Sequence, residues 1–553
     1  MALNGKSPIL GVLATLGGAW AADKVAARLT LSRAKHRSLA GHARMAKRAA
    51  GLMPGYAFER DEFFRADDAP VEIAARREAG FERLTALYAQ RYPKTAALTA
   101  GMRDSIPDID FTGAYRVPFQ FSPVVREHLP QTSFYERSQG VTLTDIDGNT
   151  FHDLTGSYGV NLLGVDAYRA MVREGIEATD ALGPTLAGLH PLVADNVERI
   201  KAVSGLDAVS FHMSGTEAVM QAVRLARYHT GRSHLVRFAG AYHGWWGDVQ
   251  PGIGNPVPAE TTYTLADMSE KSLKVLATRR NIACVLVNPL QALHPNRQAP
   301  GDSTLVSGRT DGRVAHRDYA EWLQRLASTC REAGIVLIMD EVFTGFRLAP
   351  GGACEYFGVE ADMITYGKTL GGGLPVGVLA GKAALMKRYK PERPADICFA
   401  RGTFNSHPYV MGAMDAFLRH METPRARAAY TGLDETWNAR AEGLNARLEA
   451  GDLPVRLTNL GTIWTVWFTQ ASRYHWMLQF YLKAQGLALS WVGSGRLIFS
   501  LAFDDAAFEE VADRFVAAAH AMEADGWWWQ PEGGLGKTLK RRLVSEVIRH
   551  RLG

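Results

Sequence analysis

Asp340 and Lys368 are the residues of this chain best placed to do chemistry. Asp340 ends the apolar run Ile335-Val336-Leu337-Ile338-Met339, and Lys368 follows the shorter run Met363-Ile364-Thr365-Tyr366. A continuous apolar run is the pattern of a strand buried on both faces of a parallel sheet. Open α/β sheets bind ligands just beyond the carboxyl ends of such strands. The cluster Gly371-Gly372-Gly373 then lets the backbone turn tightly after the lysine. An acid and a lysine ending neighbouring strands suit pyridoxal phosphate chemistry. The lysine forms a Schiff base with the aldehyde, and the carboxylate keeps the pyridine nitrogen protonated so that the ring accepts electrons. Taken alone, the pair reads equally well as a strand-end salt bridge.

Neighbouring segments supply what such a pair needs. Residues 208–212 read as a strand, Ser214-Gly215-Thr216 as a turn, and the following helix has Val219, Ala222, Val223 and Ala226 on one face. Free N–H groups at a helix start, together with the helix dipole, favour a phosphate. By itself the Ser-Gly-Thr turn is only a helix cap. Residues 235–238 form the next strand and lead to Tyr242-His243-Gly244, where the tyrosine can stack on a pyridine ring. A further apolar segment, 285–288, ends at Pro289-Leu290-Gln291.

The segments DEVFTGFR (340–347), GGACEYFGVEADMITYGKTLGGGLPVGVLAG (351–381), MSGTEAVMQAVRLAR (213–227), AYHG (241–244) and RGTFNSHP (401–408) occur in one order and spacing. In these the chain resembles the fold-type I, class III aminotransferase family over about residues 115–525. The similarity is to the glutamate semialdehyde aminomutase branch, and more closely to the aminotransferase domains embedded in mixed polyketide–peptide synthases. The resemblance implies an α/β fold with a large, mainly parallel seven-stranded domain and a smaller α+β domain. It implies catalysis by Lys368 and Asp340 and cofactor binding by Ser214, Gly215, Thr216, Tyr242, Gln291, Asp340, Lys368 and Thr403. Gln291 would bond the cofactor's phenolic oxygen, and His243 would be structural. Thr403 would reach the phosphate of the other subunit's cofactor, which implies a homodimer with shared active sites. The family usually has Glu before the proline, where this chain has Asn288.

The 553 residues divide into a helical extension (1–103), the first part of a small domain (104–179), a large cofactor-binding domain (180–410), the rest of the small domain (411–525) and a basic aromatic tail (526–553). Hydrophobic residues at 47% and charged residues at 22% are an ordinary globular balance. A net charge of +5 gives no global basis for a nucleic-acid partner. Cys284, Cys330, Cys354 and Cys398 form no CxxC pair. That argues against a zinc site or a disulfide framework and suits a reducing cytoplasm. Residues 8–22 are apolar but too short to span a bilayer, and residues 24–48 hold eight Lys/Arg and no acid. This arm reads as an interfacial membrane anchor or as a helix packed on protein. Loop 292–317 reads as a solvated insertion. In the tail, Trp527-Trp528-Trp529 precede a basic helix with Leu539, Leu543, Val547 and Ile548 on one face. That composition suits a membrane interface, an acidic carrier protein, or a dimer contact.

The expected activity is transfer of an amino group from an amino-acid donor to a hydrophobic or carrier- or lipid-linked aldehyde or ketone. Two alternatives remain: an aminomutase acting on a semialdehyde, and a non-catalytic scaffold. The aminomutase binds substrate carboxylate with an arginine after Ser-Pro-Val. Here Ser122-Pro123-Val124-Val125-Arg126 carries one extra residue, and 245–262 lacks that branch's long gating loop.

Overall fold

A computed structural model describes residues 24–37, 41–250, 252–298, 300–306, 308–309 and 314–552. The apolar stretch 8–22 lies outside them. β1 (Tyr135–Gln139), β2 (Thr142–Asp145) and β3 (Thr150–Asp153) form an antiparallel meander that turns through Gly148 between β2 and β3. The large sheet comprises β4 (Ala208–His212), β5 (His234–Phe238), β6 (Thr262–Leu265), β7 (Ile282–Val287), β8 (Val336–Asp340), β9 (Met363–Gly367) and β10 (Gly377–Gly381), in the order β4-β10-β9-β8-β7-β5-β6. Only β10 runs antiparallel to its neighbours. Every residue of β7 to β10 is buried, as expected where helices cover both faces of a parallel sheet. This is the seven-stranded α/β domain that the sequence implied.

A second core forms around the small-domain strands Val455–Leu460 and Ile463–Phe468. The N-terminal helices Arg60–Phe64 and Val71–Arg91 are built into it through Phe63, Phe81 and Tyr88. Arg77 is fully buried there, ion-paired to Asp67 at 2.7 Å and donating to the Gly526 carbonyl at 2.8 Å. The N-terminal helices and Trp527 and Trp528 therefore share one core with these strands.

Two expectations about the periphery need correcting. Trp527 and Trp528 do not face outward: both rings are buried. Their indole N–H groups donate to the Tyr481 hydroxyl at 2.8 Å and to His475 Nδ1 at 3.0 Å. An indole whose one donor finds a buried acceptor loses nothing by leaving water, so these rings join the core. Loop 292–317 is likewise not a solvated insertion in its described part. Asp302 is buried, accepts from Ser494 Oγ at 2.5 Å, and is pushed up to about 7 by burial, with Arg116 opposing. Gly493 has φ +75° and lies so close that a Cβ would fall 1.7 Å from Asp302 Oδ2.

Candidate active site

β8 and β9 end side by side, with Asp340 opposite Thr365 in register. Asp340 Oδ1 accepts from Thr365 Oγ1 at 3.1 Å and from the Val342 N–H at 3.2 Å. Its Oδ2 accepts from His243 Nδ1 at 2.7 Å. Three donors on one carboxylate fix its orientation. His243 is fully enclosed. Burial lowers its imidazole below the ordinary range, and Asp340 partly opposes this. The imidazole therefore serves Asp340 as a neutral Nδ1–H donor, so the histidine expected to be structural belongs to the site.

Lys368 follows β9 at φ 48°, in the left-handed region that costs a non-glycine residue energy and persists only where surroundings impose it. Its Nζ lies 5.1 Å from the centre of the Phe343 ring. Gly159, at φ +96°, approaches so closely that a Cβ would meet Phe343 at 2.7 Å and Lys368 Cδ at 3.2 Å. The segment 156–159 thus borders the site. Arg347 ties these segments together. It donates to Thr462 Oγ1 at 2.9 Å and to the carbonyls of Phe499, Gly159 and Asn161 at 3.0, 3.1 and 3.3 Å.

The helix Gly215–Thr230 starts at the end of β4 with Ser214 as its cap. Ser214 Oγ accepts from the Glu217 N–H at 3.3 Å, and the Glu217 carboxylate returns to the Met213 N–H at 3.0 Å. A Cβ on Gly215 would strike Val342 Cγ1 at 2.5 Å, and one on Gly244 (φ +92°) would strike Thr216 Oγ1 at 2.5 Å. The turn is therefore wedged between the loop after Asp340 and the Tyr242-His243-Gly244 loop. Tyr242 is 58% exposed, and burial of the rest raises its phenol, with the Asp340 charge adding. Asn288 donates to the Tyr242 carbonyl at 2.8 Å and accepts from the Leu290 N–H at 3.1 Å. A carboxylate there could not make the first of these bonds, so Asn288 has a positioning role the sequence reading left unassigned.

Two predicted residues are not joined to this cluster. Gln291 is buried, but its amide donates to the Arg297 carbonyl at 3.3 Å and accepts from the Asn296 N–H at 2.9 Å. Thr403 is exposed in a turn. Thr365, Phe343 and Arg347 were missed as site residues. Only Thr365 had a local signal, a polar residue inside an otherwise apolar run.

This cradle fits pyridoxal phosphate. Helix-start N–H groups, a carboxylate with three donors and a half-buried lysine converge where glycines leave room that side chains would close. Burial pushes the Lys368 amine down to about 8, with Asp340 opposing and Arg347 adding to the shift. The neutral amine is the nucleophile, and its fraction saturates above that value. Capture of pyridoxal phosphate by the apoprotein is therefore expected to quicken up to about pH 8 and then level off. Stopped-flow absorbance would check this; a rate that climbs on into the ordinary lysine range would contradict it.

The family model "Aminotransferase class-III" matches residues 124–248 and 311–519. A glutamate-1-semialdehyde 2,1-aminomutase of Geotalea daltonii is 30% identical over 461 residues, covering 78% of this chain and 96% of that protein. One of Citrifermentans bemidjiense is 33% identical over 367 residues, covering 62% and 78%. Among solved structures, a β-phenylalanine aminotransferase from Variovorax paradoxus shares 25% identity at a TM-score of 0.61, covering 82% of this chain and 98% of that one. The fold, the lysine and carboxylate at adjoining strand ends and the extent of these matches agree: the chain belongs to the class III aminotransferase family, with the fold-type I architecture and pyridoxal phosphate as its cofactor.

Proposed function

We propose that the protein is an aminotransferase that moves an amino group from an amino-acid donor to a hydrophobic aldehyde or ketone, free or linked to a carrier or lipid. The observation that carries this reading is the half-buried Lys368 amine, lowered to about 8, beside the Asp340–His243 pair. When bound, the cofactor supplies a ring that accepts the electrons left on the substrate's α-carbon. Asp340 would hold the ring nitrogen protonated. The N–H groups of the Ser214-Gly215-Thr216 turn would hold the phosphate, and Tyr242 would cover the ring. Lys368 Nζ would take a proton from one carbon and return it to the other, a role that needs an amine whose pKa lies near the working pH. Gln291 would reach the cofactor's phenolic oxygen only by releasing Arg297. Thr403, exposed, would complete the site of a second copy, so the working unit is a homodimer. A monomer that turns over would remove that part of the proposal.

The choice of acceptor rests on Arg126. It lies 3.6 Å from Asp110 on the helix Ser122–His128, which packs on the N-terminal extension. It faces that half-exposed carboxylate, an arrangement that favours an acceptor without a carboxylate of its own. The second reading, an aminomutase acting on a semialdehyde, is favoured by the names of the curated relatives. The two separate in a single turnover. An aminotransferase given only its donor releases one keto acid per site, whereas a mutase keeps nitrogen and carbon skeleton together. With the acceptor supplied, kcat/KM is expected to rise with chain length by about tenfold for every two methylenes buried. A best acceptor that is short and anionic would overturn the hydrophobic reading.

No described helix is long and apolar enough to cross a membrane. The proposed setting is the cytoplasm, at the inner face of the membrane where a lipid-linked acceptor would be met.

A further inference from the structure

The tail helix Gly536–Leu552 packs with one face and leaves another open. Leu539 and Glu546 are buried, Glu546 is ion-paired to Arg473, and His550 stacks on Tyr56 at 4.2 Å. The open face carries Val544, Ile548 and Leu552, spaced four apart on one stripe and 60, 51 and 82% exposed. The face expected from sequence was therefore misassigned at Ile548, which belongs to the outer stripe. Arg551 donates to the Leu52 carbonyl at 3.0 Å and so sets this helix beside the N-terminal arm. There the helix Ala43–Ala50 and the two residues that follow its cap expose Met45, Leu52 and Met53, each by half or more. Arg44, Arg48, Arg541, Arg549 and Arg551 are exposed around these apolar groups, and none has a carboxylate partner among the described residues. Glu62, Asp68 and Glu546 line the cavity against the tail helix; the last two are paired with Arg542, so Glu62 is the acid there that faces Arg541 and Arg549 without an ion pair to either.

We propose that the outer faces of the N-terminal arm and the tail helix form one docking surface for an anionic membrane. Long apolar side chains standing out from an arginine-ringed surface suit a lipid interface, where they enter the acyl boundary while the cations meet headgroup phosphates. The purpose of such a surface rests on the hydrophobic-acceptor reading; its geometry does not.

The test is co-sedimentation of full-length holoenzyme with phosphatidylcholine vesicles, with and without phosphatidylglycerol. Binding to the anionic vesicles is expected to exceed binding to the neutral ones on the order of tenfold and to weaken as salt shortens the Debye length. Ile548→Ser with Leu552→Ser should lower binding to both kinds of vesicle by about tenfold or more. Arg48→Glu with Arg541→Glu should remove only the anionic excess. All variants should keep the activity of the parent on a soluble acceptor, which reports an intact fold. Absence of vesicle binding, or binding that neither variant alters, overturns the proposal. So does retention on polyaspartate in place of vesicles, or a doubling of mass that the serine variant abolishes. Acceptor chain-length preference is read separately, so either reading can fail without the other.

Discussion

Lys368→Ala is expected to lower amino transfer by at least about 10²–10⁴-fold, the range that removal of a positioned acid–base group commonly costs. The lysine's position accounts for the size of the effect. It leaves β9 at a backbone angle of φ 48°, and its Cδ lies where a Cβ on Gly159 would come within 3.2 Å of it, so the site is shaped around this side chain. Alanine inherits the same backbone angle, so the substitution removes the amine without relieving the strain. Borohydride reduction of the wild-type holoenzyme followed by peptide mapping should find the cofactor on the peptide containing Lys368. Label on any other lysine would sink the assignment. A second readout separates chemistry from folding. Lys368 has a folded-state value near 8, below the ordinary 10.5, so the unfolded chain binds more protons between these values. Stability of the apoprotein should therefore rise as pH rises through that window. The alanine variant should lack this rise while unfolding cooperatively. A variant that loses activity because it no longer folds would fail that control.

The parts of this site that were legible in sequence are those whose signal is local. β8 and β9 announce themselves as apolar runs because burial on both faces leaves no room for alternation. The Ser214 cap announces the helix start because four free N–H groups need an acceptor nearby. The contacts that complete the site join residues far apart in the chain. His243 and Asp340 are 97 positions apart, and nothing in either neighbourhood specifies the 2.7 Å bond. Arg347 meets Phe499 and Gly159 across still longer separations, and its burial among carbonyls is invisible in a sequence where arginine normally marks surface. The tail tryptophans were misplaced for the same reason. Beside a basic helix they match the composition of a membrane interface, but the acceptors that bury them, Tyr481 and His475, lie some fifty residues upstream.

Asp340→Asn should slow the reaction by about 10²–10³-fold while leaving the cofactor bound, the usual cost of removing one preorganised electrostatic partner. The amide keeps the size of the carboxylate but has one oxygen, so it can accept from Thr365 at the Oδ1 position or from His243 at the Oδ2 position, not from both. It carries no negative charge to keep a ring nitrogen protonated, so the loss should fall on kcat more than on cofactor affinity. His243 acts through Asp340. Replacing it with alanine removes the 2.7 Å donor to Oδ2 and should cost roughly 10- to 100-fold, the worth of a hydrogen bond to a charged group. If the two residues work as one unit, the double variant Asp340→Asn, His243→Ala should be little worse than Asp340→Asn alone, because the histidine has no charge left to support. Single-turnover rates for the four proteins close the cycle. Near wild-type turnover in Asp340→Asn would remove the carboxylate from the mechanism. Strictly multiplicative losses would show that His243 acts elsewhere, through the Nε2 that has no partner among the described residues.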